Sequence, residues 1–203
     1  MLTPDDLEYI GANFVALQEL CRGRGLDVDA VRARIERREL PRPSYTLPDG
    51  TEMVPSDFFA LDDAAKDETL EALFKRRFAS EAREQGLECS EVMLEDEWEG
   101  YLSGDYGVCL WSVTPENIVS KGRHMRLIEG LLGDPRPAAR EWLDSLSEHV
   151  DALDRLERPF APFDRVRWGR VSRDRLITAA HDEYPQAFST NRVQPVAAYP
   201  RRS

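Results

Sequence analysis

The 203-residue chain is poor in cysteine, and none of its three cysteines stands in a CxxC pair. Cys21, Cys89 and Cys109 are too few and too scattered for a disulfide framework or a structural zinc site. Histidine is as scarce. His124, His149 and His181 show neither HExxH nor any other metal-ligand spacing. There is no Walker loop, no GxGxxG and no GxSxG, so the familiar signals of nucleotide, dinucleotide and serine-hydrolase chemistry are missing. No cofactor and no metal is therefore expected. No apolar run reaches the roughly 18 residues of a membrane span. The start "MLTPDDLEYI" has no basic segment followed by an apolar one, so no signal peptide is expected and a cytoplasmic location is the natural reading. Positive charge is also short: 27 Lys and Arg stand against 38 Asp and Glu, a net charge of −11. Such a chain repels nucleic acid and anionic membranes, so neither is the default partner.

What is present suffices for a core. Hydrophobic residues make up 41% and aromatics 9%, while 32% charged residues suit helices with solvated faces. The charge is uneven. Between Arg22 and Arg42 seven arginines face four acids, a local +3 that leaves −14 for the remainder.

Apolar spacing predicts a chain of helices. Thr3 can cap a first helix with Pro4 at its first position, and Leu7, Ile10, Phe14, Leu17 and Cys21 form one stripe that ends at Gly23 and Gly25. Asp27 can cap a second helix with Val28, Val31 and Ile35 on its buried side and Arg32, Arg34, Arg37 and Arg38 elsewhere, stopped by Pro41. "LPRPSYTLPDGTEMVP" then reads as a hairpin around Pro48-Asp49-Gly50. A long helix is expected from about Asp67 to Gln85, one from Thr114 to Gly133, one from near Pro137 through Leu153 and a last one from Ser172 to Ala180. Residues 104–113 suit a strand and a buried helix equally. "RPFAPFDRVRWGR" reads as a connector and residues 186–203 as a loose tail. The expected architecture is mainly α: a winged-helix-like unit at 1–62 with a small β-hairpin, packed on a multi-helix body at 63–185.

Three groups of residues are candidates for function. Arg32, Arg34, Arg37 and Arg38 offer contacts to nucleic acid or to a partner, with a solvated helix face as the plainer alternative. The stretch "YLSGDYGVCL" sets Tyr101, Ser103, Asp105, Tyr106 and Cys109 beside glycines that permit close backbone approach, with His124 a candidate base. Cys109 lies in an apolar run, which favours a buried hydrophobe over a nucleophile. Arg165 and Arg167 stand near Trp168 and suit an anion or an acidic partner. The acids Glu91, Glu95 and Glu99 stack on one helical face but lack the Glu-x-x-His pairs of a di-iron bundle.

The segment from Leu17 to Leu61 resembles the N-terminal unit of MerR-type regulators, with Glu39-Leu40-Pro41-Arg42-Pro43 and Asp49-Gly50 in the places of that family's proline element and hairpin turn. That resemblance implies a DNA-binding regulator. It departs where the family usually carries a basic residue past the turn, since Thr51, Glu52 and Met53 stand there. Across most of the chain, "LPRPSYTLPDGTEMVPSDFF", "EWEGYLSGDYGVCLWSVTPENIVSK", "LDRLERPFAPFDR" and "VSRDRLI" resemble an actinobacterial family of unknown function labelled as natural-product biosynthesis proteins. The resemblance implies a small protein of secondary metabolism and carries over no catalytic residue. The combined expectation is a non-catalytic accessory or regulatory binding protein with a protein or small-molecule partner. A DNA-binding regulator and a small enzyme using Tyr101–Cys109 are the alternatives.

Overall fold

The fold was obtained as a computed structural model and is described for residues 2–189. The first helix, α1 (Pro4–Asn13), is closed by a capping box between Thr3 and Asp6. The uninterrupted stripe through Cys21 predicts one helix, but the chain breaks it. Phe14 is extended at φ −129°, β1 (Val15–Ala16) follows, and α2 (Leu17–Arg24) starts afresh. Pairing of Val15 with Val54 overrides local helix propensity here, and Ile10, Phe14, Leu17 and Cys21 all stay buried despite the break.

Asp27 caps α3 (Val28–Glu36) as expected. The helix stops before Pro41, because Arg38 takes the left-handed conformation at φ 62°. Its N–H bonds the Ile35 carbonyl and the Glu39 N–H bonds that of Arg34, the two closures of a Schellman motif. β2 (Tyr45–Thr46) and β3 (Glu52–Val54) form the hairpin, with Gly50 at φ 85° in its turn. The antiparallel sheet has the order β1-β3-β2.

The remainder is helical: α4 (Ala60–Ala64), α5 (Leu70–Glu84), α6 (Glu91–Leu102), α7 (Asp105–Cys109), α8 (Pro115–Gly133) and α9 (Arg140–Leu156). Then come α10 (Pro162–Trp168), a π-helical turn (Arg173–Thr178) running into α11 (Ala179–Glu183), and α12 (Pro185–Phe188). The chain is thus mainly α with one small sheet. The ambiguous stretch 104–113 resolves into the short α7 followed by an isolated antiparallel bridge between Leu110 and Glu157. Two local expectations are corrected. The aromatic connector contains α10, because Pro162 can occupy a first helical turn and the Asp164 carboxylate accepts from the Ala161 N–H. The expected loose tail begins with α12, which buries Ala187 in the second core. Residues 190–203 of that tail lie outside the described residues.

Two apolar clusters hold the elements. The larger gathers Ile10, Phe14, Leu17 and Val54 with Phe74, Phe78, Trp98 and Leu110, drawing on both sides of residue 62. The smaller lies under α9: Trp142, Leu146, Val150 and Leu153 meet Ile128, Leu176 and Ile177. Arg158 joins distant pieces of the first. Its guanidinium is sandwiched between the rings of Phe14 (4.8 Å) and Trp111 (4.7 Å) and donates to the carbonyls of Asn13, Leu110 and Trp111. The neighbouring Glu157 is fully buried, held by Lys121 at 3.2 Å and by the Ser172 hydroxyl.

Candidate binding groove

The arginines of α3 and of its C-terminal cap are all engaged within the chain. Arg32 donates to Glu52 on the hairpin (2.8 Å) and to Asp29 (2.9 Å). Arg34 grips Asp62 with two bonds of 2.8 and 2.6 Å, which push its guanidinium above its ordinary value. Arg37 makes two bonds to Glu39, holding that carboxyl below the usual range. Arg38 pairs with Glu99 on α6.

Three of the four share one depression. Arg34, Arg37 and Arg38 line a groove of about 540 Å³ with Asp62, Lys66 and Trp98, between α3, the α4–α5 segment and α6. The volume is that of an ordinary ligand or peptide site. The walls carry both signs of charge, since Glu39, Asp63, Glu68 and Glu71 also face it. A cleft of about 100 Å³ adjoins it at Arg38, where Ser103 and Glu99 take part in the lining.

The Tyr101–Cys109 residues take separate tasks. The buried Tyr101 ring stacks on Trp98 (5.4 Å) and leans on Phe74 (5.1 Å), and burial pushes its phenol upward. Ser103 donates to the Gly100 carbonyl at 2.7 Å and accepts from the Asp105 N–H at 3.1 Å, closing the α6–α7 corner. Tyr106 donates to Glu97, and burial likewise pushes its phenol up. Burial raises the Cys109 thiol, with the Lys121 cation opposing, so the sulfur is poorly prepared as a nucleophile.

The glycines do permit a close approach, and the approaching group is the chain itself. A Cβ on Gly104 would strike the Arg42 carbonyl, and one on Gly107 would strike the Ser44 hydroxyl and Pro55. The Arg42 N–H bonds the Leu102 carbonyl at 2.9 Å, and Ser44 Oγ donates to the Gly104 carbonyl at 3.2 Å. The base of the hairpin is thereby seated on the α6–α7 corner.

Asp105, Arg167 and Trp168 come together: Arg167 donates to Asp105 at 3.3 Å and lies 4.5 Å over the Trp168 ring. Arg165 is occupied by Asp174 through two bonds of 2.8 Å and by the Phe160 carbonyl at 2.7 Å. His124 lies elsewhere, beside His149 of α9, and burial lowers both imidazoles. The candidates thus fall into three places, not one pocket. Asp62, Lys66 and Trp98 of the groove and Glu99 of the adjoining cleft carry no sequence signal that marks them as neighbours of the arginines. The Arg34–Asp62 and Arg38–Glu99 pairs span 28 and 61 residues, beyond any local pattern.

A family model described as a family of unknown function (DUF6058) matches residues 64–185. No curated protein and no solved structure matches the chain.

Proposed function

The chain belongs to the DUF6058 family of unknown function, and from that premise we propose that it is a non-catalytic accessory or regulatory protein that binds a partner protein in the α3–α6 groove. One observation carries this reading: Arg34, Arg37 and Arg38 are turned onto carboxylates at the junction with the family-matched body, where they line an open depression of mixed sign beside Trp98. Exposed ion pairs such as Arg37–Glu39 and Arg38–Glu99 are weak in water and exchange readily for pairs with an incoming chain. A segment bearing both acidic and basic side chains complements such walls. The resemblance of several phrases of the sequence to proteins labelled for natural-product biosynthesis supports a place in secondary metabolism.

A DNA-binding regulator is the second reading. The order α1-β1-α2-α3-β2-β3, with β1 joined to β3, favours it because it is the order of a winged helix-turn-helix. Against it stand the engaged arginines, Glu52 at the hairpin and the net charge of −11. The enzyme reading draws no support from a buried Cys109 with a raised thiol pKa.

Affinity capture with wild type and with the R37E/R38E variant, run beside a mobility-shift assay on duplex DNA, separates the readings. A partner retained by wild type and lost by the variant, with no DNA shift even at low salt, is the expected result. Capture that ignores the charge reversal sinks the groove. A low-salt DNA shift abolished by the same variant replaces it with the regulator. A deletion strain with an unchanged metabolite profile removes the link to secondary metabolism.

A further inference from the structure

His124 lies nine residues before the last residue of α8, and His149 nine residues after the first residue of α9. In an antiparallel helical pair, equal distances from the turn place residues at equal height. The two rings accordingly meet across the α8–α9 seam, with centroids 5.3 Å apart and planes tilted by 49°. The Nδ1 atom of each is buried and has no hydrogen-bond partner. Buried polar atoms are nearly always satisfied, so two orphans on facing rings call for a group that serves both.

The separation selects that group. A zinc-type ion sits about 2.0–2.1 Å from an imidazole nitrogen, itself about 1.15 Å from its ring centre, so a tetrahedral angle puts two ring centres about 5.2 Å apart. A right angle, as in a square-planar ion, gives about 4.5 Å, and a linear arrangement about 6.4 Å. Of these three, with both Nδ1 atoms turned to the ion, the tetrahedral value lies nearest the observed 5.3 Å.

We propose that His124 and His149 hold a tetrahedral divalent ion of the zinc type across the α8–α9 seam, with water on the remaining positions. Among the described residues no cluster of three or more His, Cys, Asp or Glu side chains offers a fuller ligand set, so the site is an open one. The charged groups acting on the pair are Arg123, Arg155 and Glu148. Two cations against one anion make the affinity lower than that of a closed structural zinc site.

The test is a calorimetric titration of metal-free full-length protein with Zn²⁺, paired with visible spectroscopy of the Co²⁺-loaded protein. Wild type, H124Q, H149Q and the double variant are compared, with H181Q as a control and circular dichroism to verify folding. Wild type and H181Q should bind a single ion and give the intense bands of tetrahedral cobalt. Each seam variant should bind roughly tenfold more weakly or worse, and Zn²⁺ should raise the melting temperature of wild type but not of the double variant. Absence of binding by wild type, equal binding by the double variant, or the weak bands of octahedral cobalt would each overturn the site.

Discussion

Replacing Arg38 by glycine should leave the stability of the fold nearly unchanged while removing partner capture. Arg38 sits at φ 62°, a conformation that costs a residue with a Cβ about 1 kcal/mol more than glycine. Its pair with Glu99 is more than half exposed on both sides (53% and 57%), where such pairs contribute about 0.2–1 kcal/mol. Glycine also gains unfolded-state entropy, which takes back about 0.5 kcal/mol. The terms nearly cancel, leaving a net change between about −0.5 and +0.3 kcal/mol, or within about 2 °C of melting temperature for a chain of this size. Arg38→Ala keeps the backbone strain and loses the pair, so it should lie about 0.2–1 kcal/mol below wild type. Urea unfolding and differential scanning calorimetry would rank the three proteins, and affinity capture would report on the groove. The reasoning fails if glycine costs more than about 1.5 kcal/mol, since Arg38 would then be a structural residue. It fails equally if the glycine variant captures the partner as wild type does.

Arg158→Met keeps bulk between Phe14 and Trp111 but strips three carbonyls of their donor. We expect a loss of about 2–4 kcal/mol in urea unfolding, and a loss under about 1 kcal/mol would show that the arginine clamps nothing. Gly107→Ala should cost about 1–3 kcal/mol because its Cβ meets Ser44 and Pro55. Gly122→Ala, in the middle of α8 with nothing within 4 Å, should instead stabilise by up to about 1 kcal/mol, and the same sign for both would contradict the packing at the α6–α7 corner. Burial raises the Asp6 carboxyl, but bonds from Thr3 and from the Phe163 N–H outweigh it and hold the group below 3.8. Its stabilisation is therefore complete above the unfolded value near 4 and is lost as pH falls through the lower folded value. Asp6→Asn should flatten the acid limb of the stability curve, and an unchanged limb would refute this.

Three helix starts were legible because a side chain states them: Thr3, Asp27 and Thr114 each accept a backbone N–H as their positions predict. The hairpin was legible too, because Pro48-Asp49-Gly50 encodes its turn locally. The break at Phe14–Ala16 was not, since its cause is a partner strand whose paired residues lie 37 and 39 positions on, and the apolar stripe survives it unchanged. Function was legible in halves. The arginines from 32 to 38 stand out as a charge run, and Arg37–Glu39 and Arg32–Asp29 are local pairs, but the carboxylates that meet Arg34 and Arg38 come from α4 and α6 and share no spacing with them. His124 and His149 carry no ligand motif, and only the helical turn between them makes them neighbours. The glycines at 104 and 107 announce that something comes close without saying what.

What comes close to those glycines also sets how this body may be recombined. The family match begins at residue 64, yet the notches at Gly104 and Gly107 are filled from upstream, by Arg42, Ser44 and Pro55. A fragment starting at 64 would carry two open sockets and an exposed corner. Any other N-terminal unit fused to this body must supply a plug of the same gauge: a backbone carbonyl pressed flat on one glycine, and a small hydroxyl with a proline ring on the other. Beside the apolar core that both parts share, this fitting is only a few atoms wide, yet it sets a shape that a chimera must reproduce.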